Sequence, residues 1–162
     1  MTKTKFIPIR PLIKLNDDLF SIYIRLRDTD KNGVGYCTTC HTLHSFNFLQ
    51  CGHYISRDKK SLRYDAKNCH IQCIRCNVFL KGNYPAYSAF MQKVYGNEIL
   101  NFLNTAKHHK LTSFELIAIF NDTLKKIDLL PNKHLALSRI EKITKKFIEL
   151  GGNINNKMEI LT

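Results

Sequence analysis

No stretch of this sequence approaches the ~20 apolar residues that cross a bilayer, and it carries no lipidation signature. An integral or anchored membrane protein is therefore excluded as the first reading. The opening stretch, MTKTKFIPIRPLIKL, is short and basic. It lacks the apolar core of a secretory segment, so a reducing cytosol is the expected compartment. Internal repeats and low-complexity segments are missing, which removes solenoids and disordered arrays. Tryptophan is absent and excludes nothing. Acidic residues are scarce: 13 against 25 basic ones, for a net charge of +12 in 162 residues. That balance favours a polyanionic partner, with nucleic acid ahead of a membrane surface.

What the chain does have is six cysteines, four of them in two Cys-x-x-Cys pairs. Cys37 and Cys40 form the first pair, Cys73 and Cys76 the second. Each pair sets two thiolates on one side of a tight turn, and together they make a closed tetrahedral site suited to one structural zinc ion. The alternative is a pair of disulfides, which the reducing compartment disfavours. Cys51 and Cys69 are left over in apolar or aromatic surroundings. They read as small core residues, and a second metal site using them is the alternative. His41 and His44 follow the first pair but are not needed as ligands.

Along the chain, Pro8 and Pro11 suggest an extended arm over residues 1–14. Asn16 with Asp17 and Asp18 reads as a helix start, followed by Leu19, Tyr23 and Leu26 at helical spacing. Residues 28–33 form a turn. Phe46 to Ile55 reads as a short hairpin carrying His53. Arg57, Lys59, Lys60, Arg63 and Lys67 then form a basic cluster, read as a phosphate surface rather than a merely solvated face. A helix opens after Cys76, with Asn77 in its first turn facing the hairpin, and Lys81-Gly82-Asn83 ends it. Four helical segments follow. Pro85 opens the first and Gly96 closes it; Asn97 caps the second. Thr112 and Glu115 form a capping box for the third, which Pro131 stops. The fourth runs from about His134 to Leu150, with Ala136, Ile140, Ile143, Phe147 and Leu150 on one stripe, read as core or a dimer seam. Three regions result: residues 1–34 (arm and helix), 35–84 (cysteine-braced core) and 85–162 (helical).

The order His53, Asn68, Cys73, Cys76, Asn77 resembles the HNH, or ββα-metal, nucleases in their zinc-braced form. The Cys-x-x-Cys-Asn ending is similar to phage endonuclease VII. A closer resemblance is to the phage lambda NinG/Rap family of recombination endonucleases, carried by CGHYISR, LRYDAKNCHIQCIRCN and LKGN, with FSIYIRLRD before and KVYGNE after. It covers roughly residues 15–105. The fold it implies is α+β: a zinc-braced ββα-metal finger within a mostly helical domain. The activity it implies is a structure-specific, divalent-metal-dependent DNA endonuclease acting on branched recombination intermediates such as Holliday junctions or D-loops. The setting it implies is a bacterial host cytoplasm, with the protein phage- or prophage-encoded.

By that resemblance His53 is the general base, Asn77 a ligand of a catalytic magnesium or manganese ion, and Asn68 a structural brace for the loop that positions His53. Many HNH enzymes carry a second ligand just before the base, where this chain has Gly52. His70 is taken as the substitute ligand, with Asp65, or water in place of a side chain, as alternatives. Arg57, Lys59, Lys60, Arg63, Arg75 and Lys81 are the expected DNA contacts, with Arg57 and Arg63 gripping phosphates. A homodimer is expected for symmetric junction cutting, seamed on the last helix. Two other classes remain: a zinc-braced DNA-binding accessory protein without catalysis, and an RNA-binding or RNA-cleaving protein.

Overall fold

The computed structural model describes residues 7–155. Helix α1 (Ile9–Arg27) begins earlier than the expected arm allows. Pro11 lies in its first turn, where a missing N–H is harmless. Residues 1–6 of the expected arm lie outside the described residues. Asn16 is not a cap. It sits inside the helix, buried, with its amide donating to the Leu12 and Leu116 carbonyls at 2.9 and 3.1 Å. A residue that resembles a cap in sequence here satisfies two carbonyls instead.

The chain forms two compact units, one from both ends (to Tyr23 and from Leu111) and one from Ile24–Lys110. The first unit holds most of α1 with helices α4 (Ser113–Asp128) and α5 (Leu137–Glu149). The expected capping box opens α4: Thr112 accepts from the Glu115 N–H, and Glu115 accepts from the Thr112 N–H. Phe120 and Phe147 stack at 3.8 Å and are both fully buried. The apolar stripe of α5, expected as core or seam, is thus filled at Ile140 and Phe147 by the chain itself.

The second unit carries two small antiparallel sheets. Strands β1 (Val34–Tyr36) and β2 (Leu43–Ser45) pair across the first cysteine turn. Strand β3 (Leu49–His53) pairs with β4 (Cys69–Cys73) rather than with a neighbour in the expected 46–55 hairpin. Phe46–Phe48 is a 3₁₀ turn that leads into β3. The 54–68 loop therefore connects the two long strands. After β4 comes a π-helical turn, Arg75–Phe79, then helices α2 (Tyr84–Tyr95) and α3 (Glu98–Thr105). Lys81, Gly82 and Asn83 all have positive φ, which breaks the chain between that turn and α2.

Apolar contacts hold the loop down. Tyr54 and Leu62 are buried with Tyr87, Met91, Ile99 and Leu103 of α2 and α3. The Tyr54 ring meets Tyr87 edge-on at 5.4 Å, and the Tyr87 hydroxyl donates to the Gly52 carbonyl at 2.9 Å. Such aromatic pairs add to simple burial. Lys59 donates to the Leu103 and Asn104 carbonyls at 3.0 and 2.8 Å, so it serves the C-terminal end of α3.

Candidate functional site

The four expected cysteines converge. Their sulfur atoms lie within 4.8 Å of one another, and Cys40 and Cys73 are 3.7 Å apart. The edge of a zinc–sulfur tetrahedron is about 3.8 Å, from a bond of about 2.3 Å, whereas a disulfide needs about 2.05 Å. The spacing fits a metal, and all four cysteines are free thiols. Polar groups already face the sulfurs. The Thr42 hydroxyl lies 3.2 Å from Cys40, the Cys73 N–H donates to Cys37 at 3.3 Å, and Asn83 donates to Cys76. Such outer contacts orient metal ligands. They also separate the acidities of the metal-free thiols. Burial opposes ionisation at Cys37, but the Thr39 hydroxyl and the N–H groups of Cys73, Cys40 and Thr39 pull it down to about 6. Burial, then the crowding sulfurs of Cys40, Cys37 and Cys76, push Cys73 up to about 12 against one backbone N–H.

Register divides the candidate residues between the two faces of the β3–β4 ribbon. Cys51 opposes Ile71 and His53 opposes Cys69 on one face; Gln50 opposes Gln72 and Gly52 opposes His70 on the other. His53 is half-buried at the end of β3. Its Nε2–H donates to the Arg63 carbonyl at 2.9 Å, since a carbonyl only accepts. That bond fixes the neutral tautomer with its lone pair on Nδ1.

Asn68 is fully buried beneath the loop. Its oxygen accepts from the Ile55 N–H at 2.8 Å, and its amide donates to the Ile55 and Leu62 carbonyls at 2.9 and 3.1 Å. It ties the two ends of the segment that carries Arg63, and hence the carbonyl holding His53. Asn68→Ala is expected to cost about 2–4 kcal/mol, because it strands a buried N–H and two carbonyls. A urea titration checks this; a change below about 1 kcal/mol would contradict the bracing role.

Asn77 does face the ribbon. Its amide donates to the Gln50 oxygen at 2.8 Å. Gln50 is the residue the sequence reading missed, a polar side chain in an otherwise ordinary strand with no spacing signal of its own. His70, expected as the substitute ion ligand, lies on the same face of the ribbon as Gln50 but is engaged with other groups. Both its ring nitrogens are engaged: Arg27 donates to Nδ1 at 3.1 Å, and Nε2 pairs with the Tyr95 hydroxyl at 3.1 Å. The ring packs edge-on against Phe90. Arg27 also forks onto Asp28 and donates to the Ala66 and Cys69 carbonyls. Burial opposes ionisation of Asp28, but its contact with His70 and the hydrogen bonds and charge of Arg27 hold its carboxyl below the usual range. This cluster is an internal strut. Asp65 is folded onto its own turn, accepting from the Lys67 N–H.

A side chain at Gly52 has no room: an added Cβ would lie within van der Waals overlap of the Gln72 amide. Gln72 is fixed there by donating to the Gly82 carbonyl at 2.8 Å. Of the expected DNA contacts, Arg57, Arg75 and Lys81 are exposed and Lys60 and Arg63 are half-buried, with Arg63 donating to the Arg57 carbonyl. Lys59 is committed to α3, as described.

A family model described as Bacteriophage Lambda NinG protein matches residues 1–133. The chain belongs to the NinG family. Two curated NinG relatives bracket the similarity. Protein ninG of Salmonella phage P22 is 31% identical over 109 residues, 66% of this chain and 51% of that protein. Protein ninG of Escherichia phage lambda is 30% identical over 122 residues, 74% of this chain and 57% of that protein. The chain thus spans about half the length of the curated NinG proteins it matches. No solved structure matches it. No helix among the described residues is long and apolar enough to cross a membrane.

Proposed function

We propose that this NinG-family chain is a metal-dependent DNA endonuclease of the HNH type, acting on branched DNA, with Cys37, Cys40, Cys73 and Cys76 holding a structural zinc ion. The observation that carries the reading is the hydrogen bond from His53 Nε2 to the Arg63 carbonyl. It leaves a basic nitrogen on a ring held by a braced loop, as a general base requires. Phosphodiester hydrolysis needs water attacking in line, with the leaving oxygen at the opposite apex of phosphorus. Base and charge stabiliser therefore belong on different sides of the phosphate. His53 and the Gln50–Asn77 pair point to opposite faces of β3, so a phosphate reached by both has to sit at the end or edge of the strand rather than over either face.

Gln50 and Asn77 are neutral amides. Such a pair suits magnesium or manganese only in company with phosphate oxygens and water. Bound there, the ion would supply charge neutralisation at a non-bridging oxygen and at the leaving group. Gln50→Asp is therefore expected to lower the magnesium concentration for half-maximal cutting several-fold, because a carboxylate holds magnesium better than an amide. An unchanged or higher magnesium concentration for half-maximal cutting would remove Gln50 from the ion's surroundings.

Exposed Arg57, Arg75 and Lys81, with the net charge of +12, suit a phosphate backbone. Phe48 and Phe79 are 71% and 73% exposed on β3's approach and the π turn. Exposed rings stack on unpaired bases, which branched DNA supplies and duplex does not. Two symmetric cuts in a junction call for two copies, so the reading includes a homodimer on DNA.

The test is cleavage of a labelled four-way junction beside a linear duplex of the same sequence. Magnesium is omitted, rather than chelated, in the control, since EDTA also strips zinc. Metal-dependent cutting of the junction alone is the expected result. Equal cutting of both substrates removes the branch selectivity. Tight binding without cutting favours a non-catalytic accessory protein, the reading supported by the absence of a carboxylate at the Gln50–Asn77 pair.

A further inference from the structure

Cys51 and Cys69, left over from the zinc pairs, do not pack as isolated core residues. Their sulfurs and a ring nitrogen of His53 all lie within 4.8 Å of one another. Sheet register causes this: His53 and Cys69 are direct cross-strand partners, and Cys51 stands two residues from His53 on the same face. The cluster draws on two strands already held by the backbone ladder, so little ordering is needed to close it. Cys69 is fully buried, while Cys51 and His53 are half-buried and reachable.

We propose that Cys51, His53 and Cys69 form a second metal site, selective for thiophilic ions of the zinc class. Two thiolates and an imidazole make a soft donor set that rejects magnesium and accepts Zn²⁺, Cd²⁺ or Cu⁺. Three protein ligands leave a fourth, open position, in contrast to the closed four-cysteine site. The Arg63 carbonyl supplies the outer contact that a ligating histidine makes through its other nitrogen. With Nε2–H committed there, the metal takes the Nδ1 lone pair. Closing the site means bringing donors now within 4.8 Å to about 3.5–3.8 Å, the ligand edges of a zinc tetrahedron. Small side-chain adjustments at the half-buried Cys51 and His53 would close the three separations.

The consequence rests on the reading of His53 as the base. An ion at this site occupies the nitrogen that would activate water, so zinc and magnesium have opposite effects: magnesium supports cutting and zinc silences it. The ordinary zinc clamp is untouched, because it shares no ligand with this site.

The experiment counts zinc first and cutting second. Full-length protein, reduced and zinc-loaded, is passed through gel filtration and its zinc measured per chain; the weaker sites are then titrated against a chromogenic chelator. Wild type is expected to hold two ions, Cys51→Ser one, and Cys51→Ser/Cys69→Ser one. Circular dichroism confirms that each variant is folded, and Cys51→Ser, at a half-buried position, keeps the comparison available if the double variant does not fold. One ion in wild type, or two ions in folded Cys51→Ser, overturns the site. The second arm adds micromolar zinc to a junction reaction in excess magnesium. Loss of cutting by wild type at a zinc level that spares Cys51→Ser supports the site and its effect on the base. Two ions per chain with cutting indifferent to zinc keeps the site and removes His53 from catalysis. The zinc count stands whether or not the protein cuts DNA.

Discussion

Replacing Cys73 with serine is expected to unfold the Ile24–Lys110 unit rather than merely weaken it. The reason lies in how little else joins its parts. β1 and β2 are three residues each, β3 and β4 five, and each sheet has only two strands. Isolated two-stranded pairs are marginal in water. Cys37 and Cys40 lie on the β1–β2 connection, Cys73 ends β4, and Cys76 lies in the π turn. One ion held by the four sulfurs would therefore tie three elements, and structural zinc supplies on the order of 10 kcal/mol to such folds. The apolar cluster around Tyr87 holds the loop to α2 and α3 but includes none of the four cysteines. A thermal melt should lose its cooperative transition in Cys73→Ser, and wild type should follow it on zinc removal, with recovery on zinc return. A melting temperature within a few degrees of wild type would mean that the ion is dispensable to the fold.

The pH dependence of this clamp has a definite sign. Zinc binds thiolates, so binding releases protons and tightens as pH rises. Cys37, at about 6 without metal, is already mostly ionised at neutral pH, while Cys73, at about 12, must give up its proton to the ion. The metal-free state thus binds more protons than the loaded one, and the stability that zinc confers declines as pH falls. Below about 6 the decline steepens as Cys37 is protonated as well.

How much of this was legible in the residues varies with the kind of signal. Paired Cys-x-x-Cys spacing is geometric, and it brought four sulfurs together as read. The brace at Asn68 was legible through resemblance, and the Thr112–Glu115 box through capping chemistry that is local by nature. Partner choice was not legible. β3 pairs with β4 across the 54–68 loop because Tyr54 and Leu62 pack on α2 and α3, a fact about distant residues. β1 and β2 are too short to carry an alternation. The Asn16-Asp17-Asp18 run looks like a cap, but a carbonyl one turn back and another at Leu116 satisfy Asn16 inside the helix. His70 looked available because spacing gives no account of Arg27, which reaches it from α1. Gln50, the partner of Asn77, and the Cys51–His53–Cys69 grouping depend on register, which a sequence states only once its strands are paired.

His53→Ala is expected to reduce junction cutting by about 10²–10⁴-fold, the usual contribution of a positioned acid or base, while leaving junction affinity within about twofold. The asymmetry follows from position. His53 is half-buried at a strand end, and its Nε2–H bonds a carbonyl that water can satisfy after truncation. The backbone ladder to Cys69, the Asn68 brace and the zinc clamp do not use its side chain. The variant should therefore melt close to wild type, so lost cutting cannot be assigned to unfolding. In wild type the rate should rise with pH through the range where imidazole sheds its proton, because only the neutral ring has a lone pair for water. That ascending limb should vanish from the variant's residual activity, whereas loss of a merely structural contact would lower the whole profile without changing its shape. Arg63→Ala separates the remaining possibility. The group holding His53 is the Arg63 carbonyl, which the substitution keeps, so Arg63→Ala should weaken phosphate binding and salt sensitivity while retaining the pH profile. A variant at position 53 that cuts the junction at near wild-type rate would place the base elsewhere, and the half-buried ring would then be explained by its sulfur neighbours alone.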